Sequence, residues 1–173
     1  MPKKIDVKGE IVGNSDAWIY EYLAMEYASP QGISKQLVEA NGEDIEVEIN
    51  SPGGNIFAGS EIYTALRSYN GNKKIRIVGL AGSAASVIAE AGESEISPTA
   101  MYMIHNVQSG ASGDYRAMEH QAEVLKAANQ SIANAYMEKT GMTNEELLAL
   151  MDKETWLPAQ DAVKYGFVDK VMF

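Results

Sequence analysis

One stretch constrains this chain more than any other: a β-branched run that turns, through small residues, into a helix. Ile75-Arg76-Ile77-Val78 reads as a strand, Gly79 to Gly82 interrupt it, and the residues after Ser83 favour a helix that Gly92 can stop. Ser83 therefore falls where a strand becomes a helix. The first backbone N–H groups of a helix are unpaired, and its dipole is positive there. An alkoxide or tetrahedral oxyanion is stabilised at such a point. A strand–turn–helix serine among small residues has the layout of a nucleophile elbow, although the Gly-x-Ser-x-Gly form is absent. Taken alone, Ser83 reads equally as a helix N-cap. Ser86, one turn on, is a rival hydroxyl without the elbow position.

The same rhythm occurs earlier. Glu43 to Asn50 alternates charged and apolar residues as a half-buried strand does, Ser51-Pro52-Gly53-Gly54 follows, and Ile56 to Leu66 has helical character. Strand, helix, strand, helix predicts βαβ units, a mostly parallel sheet and right-handed crossovers. Gly53 and Gly54 permit φ > 0 and let the backbone approach another group closely; a simple tight turn explains them as well. No Gly-Lys-Ser/Thr follows, and the glycine spacing does not fit a dinucleotide fingerprint.

Composition narrows the function classes. The 173 residues suit one compact domain. A net charge of −10 argues against a nucleic-acid surface and gives no support for binding anionic membranes. There is no cysteine, so disulfides and thiol chemistry are excluded and a cytoplasmic address is the default. Two histidines without cysteine do not suggest a structural zinc site. No apolar run is long enough to cross a membrane.

The remaining segments supply further candidates. Ile5 to Val12 alternates as a strand, Gly13-Asn14-Ser15-Asp16 is turn chemistry, and Trp18, Tyr20, Tyr22 and Tyr27 are expected in the core or against another subunit. A helix is predicted over Ser34–Glu39, with Ile33, Leu37 and Val38 on its apolar face. Ala100 to His105 is a short apolar strand ending in histidine, at the sheet edge where α/β sites form. A lone histidine there is also compatible with a structural role, and His120 reads as solvated surface. Gln108 to Gly113 is flexible or forms a β edge, and a long helix runs from about Asp114 to Thr140-Gly141. Met118, Leu125 and Ile132 recur along it every seven residues, as do Tyr115, Ala122, Asn129 and Tyr136. That narrow seam suggests packing on another subunit, with Asn129 either fixing register or facing solvent. Thr143-Asn144-Glu145-Glu146 matches a capping box and opens a helix that ends around Asp152 to Trp156. Pro158 suits the first turn of a last helix stopping at Gly166, and Phe167 to Val171 reads as a final strand.

A serine hydroxyl needs a base, and the base needs a third group to hold it. With Ser83 and His105 available, the chain resembles the proteolytic subunit of the Clp protease. Four motifs carry the likeness, in the family's order: Ile49-Asn50-Ser51-Pro52-Gly53-Gly54 with Ala58-Gly59 and Ile62-Tyr63; Gly79-Leu80-Ala81-Gly82-Ser83; Met103-Ile104-His105; and Trp156-Leu157-Pro158-Ala159 with Ala162 to Asp169. The N-terminal third resembles the phage and prophage branch, whose members serve as head-maturation proteases.

The resemblance implies a crotonase/Clp-protease-like ββα spiral over residues 1–173, with a protruding strand-plus-helix handle at about 108–139. It implies Ser83 as nucleophile, His105 as general base, and an oxyanion and substrate-binding site at Gly53, Gly54 and the Ala84 N–H. The family's aspartate position falls on Glu154, with Asp152 as the alternative acid. No metal or organic cofactor is implied. The substrate would be an extended peptide, and the assembly a homo-oligomeric, heptameric ring or double ring. The chain begins almost at its first expected strand, without the longer segment that meets an unfoldase ring, so a Clp-type ATPase partner is left open. Two other classes compete. One is a catalytically weak or structural member of a phage capsid pathway, motivated by Glu154. The other is a crotonase-type acyl-CoA enzyme, against which a bonded Ser83–His105 pair would argue.

Overall fold

The computed structural model describes all 173 residues. In chain order the elements are β1 (Lys3–Ile11), α1 (Ala17–Tyr22), β2 (Tyr27–Ala28), α2 (Pro30–Ala40), β3 (Ile45–Gly54), α3 (Ile56–Arg67), β4 (Lys73–Gly82) and α4 (Ala84–Ala89). There follow β5 (Glu93–Ile96), β6 (Met101–Ile104), α5 (Tyr115–Thr140), α6 (Asn144–Asp152), β7 (Thr155–Pro158), α7 (Ala159–Lys164) and β8 (Lys170–Val171). The eight strands form one sheet in the order β2-β1-β3-β4-β5-β8, and β6 pairs with both β4 and β7. Every pairing is parallel except β6 with β7.

Alternation along the central strands decides which face is buried. Ile5 lies beside Val47, and Val47 beside Ile75. These residues, with Val7, Ile45, Ile49 and Ile77, are buried in a continuous apolar core of 36 residues. The residues between them point the other way and are charged. Lys4 and Lys8 both reach Glu48, and Arg76 bridges Glu46 and Glu95. Such pairs are partly solvated and each contributes little, about 0–1 kcal/mol. Their hydrogen bonds nevertheless hold the Glu48 carboxyl below its ordinary value, with Lys4 the leading cause. The sheet is therefore apolar on one face and ionic on the other.

β4 has different neighbours along its length. Its first half pairs with β5, up to Ile77 with Ile96, and its second half pairs with β6, from Leu80 with Met101 to Gly82 with Met103. This divergence opens the sheet at its C-terminal edge, beside Ser83. No helix is long and apolar enough to cross a membrane.

Several expectations need correction. Trp18 and Tyr22 are not core residues: they are 64% and 83% exposed, because six-residue α1 buries none of its side chains. Val38 is 77% exposed, since the buried stripe of α2 runs through Ile33, Leu37 and Ala40. Gly53 and Gly54 still pair with β1, so they end a strand rather than form a free turn. α4 ends at Ala89, ahead of Gly92. Pro158 is the last residue of β7 and the N-cap of α7, and the last strand is only Lys170–Val171. β5 was not expected at all. The long helix, its Asp114 N-cap, the Gly141 stop and the Thr143/Glu146 capping box are as expected.

Candidate active site

Ser83 joins β4 to α4 with φ 52° and ψ −124°. That conformation is rare for a residue with a side chain and costs on the order of 1–3 kcal/mol. The surroundings enforce it. The Ser83 N–H donates to the Met103 carbonyl at 3.0 Å, which ties the elbow to β6. The Ser83 carbonyl accepts from the Ser86 N–H at 2.9 Å and from the Ser86 hydroxyl at 2.6 Å. The Tyr136 hydroxyl of α5 meets Ser86 Oγ at 2.7 Å, and the Tyr102 hydroxyl donates to the Ser86 carbonyl at 3.1 Å. Ser86 is therefore not a second nucleophile; its oxygen is buried and occupied.

This network ends at Glu90, whose Oε1 bonds the Tyr102 hydroxyl and whose Oε2 is buried without a partner. Burial pushes the Glu90 carboxyl well above its ordinary value. A neutral acid is the form that the apolar surroundings tolerate.

The β3 edge closes on the elbow from the other side. Gly53 has φ 104°, and a Cβ there would stand 2.6 Å from Ser83 Cβ. A Cβ on Gly82 would meet the Pro52 carbonyl at 3.0 Å, so backbone packs on backbone here. The Gly53 N–H is satisfied by Ser51 Oγ at 3.1 Å. Ala84 is the first residue of α4, where an N–H has no acceptor within the helix. Gly53 and the Ala84 N–H thus border the same point as the Ser83 side chain, and Gly54 lines the cleft into which Ser83 opens.

His105 follows the last residue of β6, on the same strand face as Met103 because side chains alternate. Pairing of Met103 with Gly82 carries it over Ser83, and His105 Nε2 lies 2.8 Å from Ser83 Oγ. The other ring nitrogen, Nδ1, faces the Gln108 amide at 3.4 Å, too long for a strong bond.

Neither acid candidate bonds His105. The β6–β7 register pairs Ile104 with Thr155, so Glu154 follows in line opposite His105. Its backbone has φ 50°, however, and its carboxylate accepts from the Trp156 indole N–H at 3.2 Å. Asp152 accepts from the Asn106 amide at 2.9 Å.

The segment after His105 is fixed by residues that the sequence did not single out for the site. Asn129 of α5 accepts from the Val107 N–H at 2.7 Å and donates to Asn106 Oδ1 at 2.9 Å. The polar Asn129 inside an otherwise apolar seam was the available signal. Ser83 and His105 open into a cleft of about 480 Å³, walled by Met103, Ile56 and Phe57 on one side and Val124, Leu125 and Ile132 of α5 on the other. No group of three or more His, Asp or Glu side chains is arranged to hold a metal.

Fold and site together define an α/β protein with a Ser–His pair at a strand-to-helix elbow, open to an apolar cleft. Comparison with known proteins agrees with that class. A family model described as Clp protease matches residues 17–173, and the chain belongs to the Clp protease family. An "ATP-dependent Clp protease proteolytic subunit" from Bacteroides fragilis is 31% identical over 134 residues, which are 76% of this chain and 65% of that protein. An "ATP-dependent Clp protease proteolytic subunit 1" from Leifsonia xyli subsp. xyli is 32% identical over 136 residues, 77% of this chain and 69% of that protein. The chain spans less than two thirds of the length of the Bacteroides fragilis relatives.

Proposed function

We propose that this chain is a serine endopeptidase. The observation that carries the reading is the 2.8 Å contact between Ser83 Oγ and His105 Nε2 at a strained elbow. His105 Nε2 takes the Ser83 proton as Oγ attacks the peptide carbonyl carbon. The oxyanion formed is stabilised by the N–H groups of Gly54 and Ala84, while Gly53 leaves room for it. His105 returns the proton to the leaving amine as the C–N bond breaks, leaving an acyl group on Ser83. Water, deprotonated by His105, then releases the acid and restores the serine. No cofactor enters these steps.

Glu154 is the acid in this reading, supported by its place opposite His105 in the β6–β7 register. It serves by turning from the Trp156 indole to His105 Nδ1. Asp152 is the alternative. Substrates are extended peptides laid beside Gly53-Gly54. The chain acts as a single domain in a homo-oligomeric ring, with Gln108 to Lys139 as the handle between rings. A cytoplasmic address belongs to the same reading, which leaves a Clp-type ATPase partner open.

A second reading, a catalytically weak structural member of a phage capsid pathway, draws on the Glu154 carboxylate being held by Trp156. The crotonase-type acyl-CoA reading loses support from the bonded Ser83–His105 pair. Cleavage of an unfolded protein such as casein tests the proposal. The wild type should cleave it, and Ser83→Ala should lose about 10⁴-fold or more. Equal cleavage by Ser83→Ala would remove the peptidase assignment.

A further inference from the structure

A second cleft, of about 450 Å³, adjoins the catalytic one. Its walls are apolar: Ile11 and Val12 from the end of β1, with Ile19, Tyr20, Leu23 and Met25 from α1 and the turn after it. Two carboxylates, Glu10 and Asp16, stand among these walls. Asn55 lines both clefts, so they meet at the Gly54-Asn55 backbone. Glu10 reaches that junction, with Oε1 3.0 Å from where a Gly54 Cβ would stand.

Neither carboxylate is neutralised. Asp16 accepts only from the neighbouring Ser15 hydroxyl at 3.3 Å, and the Glu10 carboxylate has no polar partner. The lysines on the same strand are engaged elsewhere, Lys4 with Glu48 and Lys8 with Asp6 and Glu48. The α1 side of the cleft is equally unsatisfied: α1 buries none of its side chains, and Leu23 and Met25 remain exposed. An apolar slot lined by unpaired carboxylates fits an aliphatic chain tipped with a cation. Lysine and arginine side chains have that form, with methylenes that pack and a head that bonds carboxylate. The net charge of −10 adds attraction at longer range and repels acidic segments.

We propose that this second cleft is a subsite for a lysine or arginine side chain of a peptide that crosses Gly54-Asn55 from the Ser83 cleft. The subsite rests on the peptidase reading and gives it a substrate class: peptides with a basic residue at one fixed distance from the cleaved bond.

Binding to Ser83→Ala tests the subsite apart from hydrolysis. The probes are peptides of one sequence carrying lysine, norleucine or glutamate at each position in turn, followed by fluorescence polarisation. At one position lysine should bind about tenfold tighter than norleucine, glutamate weakest, and the difference should shrink as salt rises. Adding Glu10→Gln should bring the lysine-to-norleucine ratio close to one, with Asp16→Asn, at an exposed site, lowering it part of the way. Equal binding of lysine and norleucine at every position would overturn the proposal, whatever the hydrolysis assay reads. So would a ratio unchanged by both substitutions. If Leu23→Ser instead shifts the sizing profile to smaller species and leaves the ratio at one in the parent, the cleft is a contact between copies and the proposal falls. Loss of hydrolysis with the lysine preference intact would count against the peptidase reading alone.

Discussion

His105 has two ring nitrogens, and the molecule treats them differently. On the Nε2 side the residues that hold Ser83 are buried and bonded. Ser83 is tied to β6 through Met103, and its carbonyl is held twice by Ser86, which is held in turn by Tyr136 and Tyr102. On the Nδ1 side the side chains are exposed: Glu154 is bonded to Trp156, Asp152 to Asn106, and only the Gln108 amide faces Nδ1, at 3.4 Å. A strained backbone persists only where its surroundings over-determine it. An exposed carboxylate on a short turn can exchange one partner for another at little cost. The Ser83–His105 pair is thus held by one chain's buried network, while both acid candidates are exposed side chains bonded elsewhere.

The largest effect should come from His105→Ala, which leaves Ser83 without a base and should lower peptide cleavage about 10⁴-fold or more with the melting temperature nearly unchanged. Retained cleavage would mean that the buried side of the histidine is not the reactive one. Glu154→Ala should act on the exposed side: cleavage falls by up to about 10⁴-fold, less than in His105→Ala because the pair itself stays intact. Being exposed, it should change stability by less than about 0.5 kcal/mol. Trp156→Phe removes the competing N–H donor and should not lower cleavage; a fall as large as that of Glu154→Ala would refute the turning carboxylate.

Ser86→Ala should show the opposite pattern. It leaves Tyr136 and one lone pair of the Ser83 carbonyl unsatisfied in the core, for about 1–3 kcal/mol of lost stability in chemical denaturation. The smallest effect concerns pH. Burial holds the proton on Glu90 more tightly in the folded chain than in the unfolded one. Stability from this group is therefore complete below its unfolded value of about 4.5 and declines as pH rises towards the raised folded value. Glu90→Gln should flatten that decline in melting curves taken from pH 5 upward. Glu48 and Asp169 have the opposite sign, and their contributions fade as pH falls through their lowered values.

Sequence patterns reached the two halves of the site unequally. The Ser83 elbow was legible because a β-branched run, a glycine pair and a small-residue helix leave few alternatives. Counting along the motif reaches Glu154, which the β6–β7 register puts in line opposite His105. The direction of its carboxylate was not legible, because a residue two positions on, Trp156, decides the rotamer. β5, Glu93-Ser94-Glu95-Ile96, has a single apolar residue and so no strand pattern, unlike the equally short but apolar β6. Trp18 and Tyr22, expected in the core or against another subunit, lie outside the core because α1 buries none of its side chains, which composition does not reveal.

Labelling the wild-type protein with a fluorophosphonate, followed by peptide mapping, tests the central claim most directly, since this reagent reports an activated serine rather than a bonded one. Label on Ser83 that disappears in His105→Ala is the predicted result. An unlabelled Ser83 in the assembled protein, or label that survives His105→Ala, would contradict it.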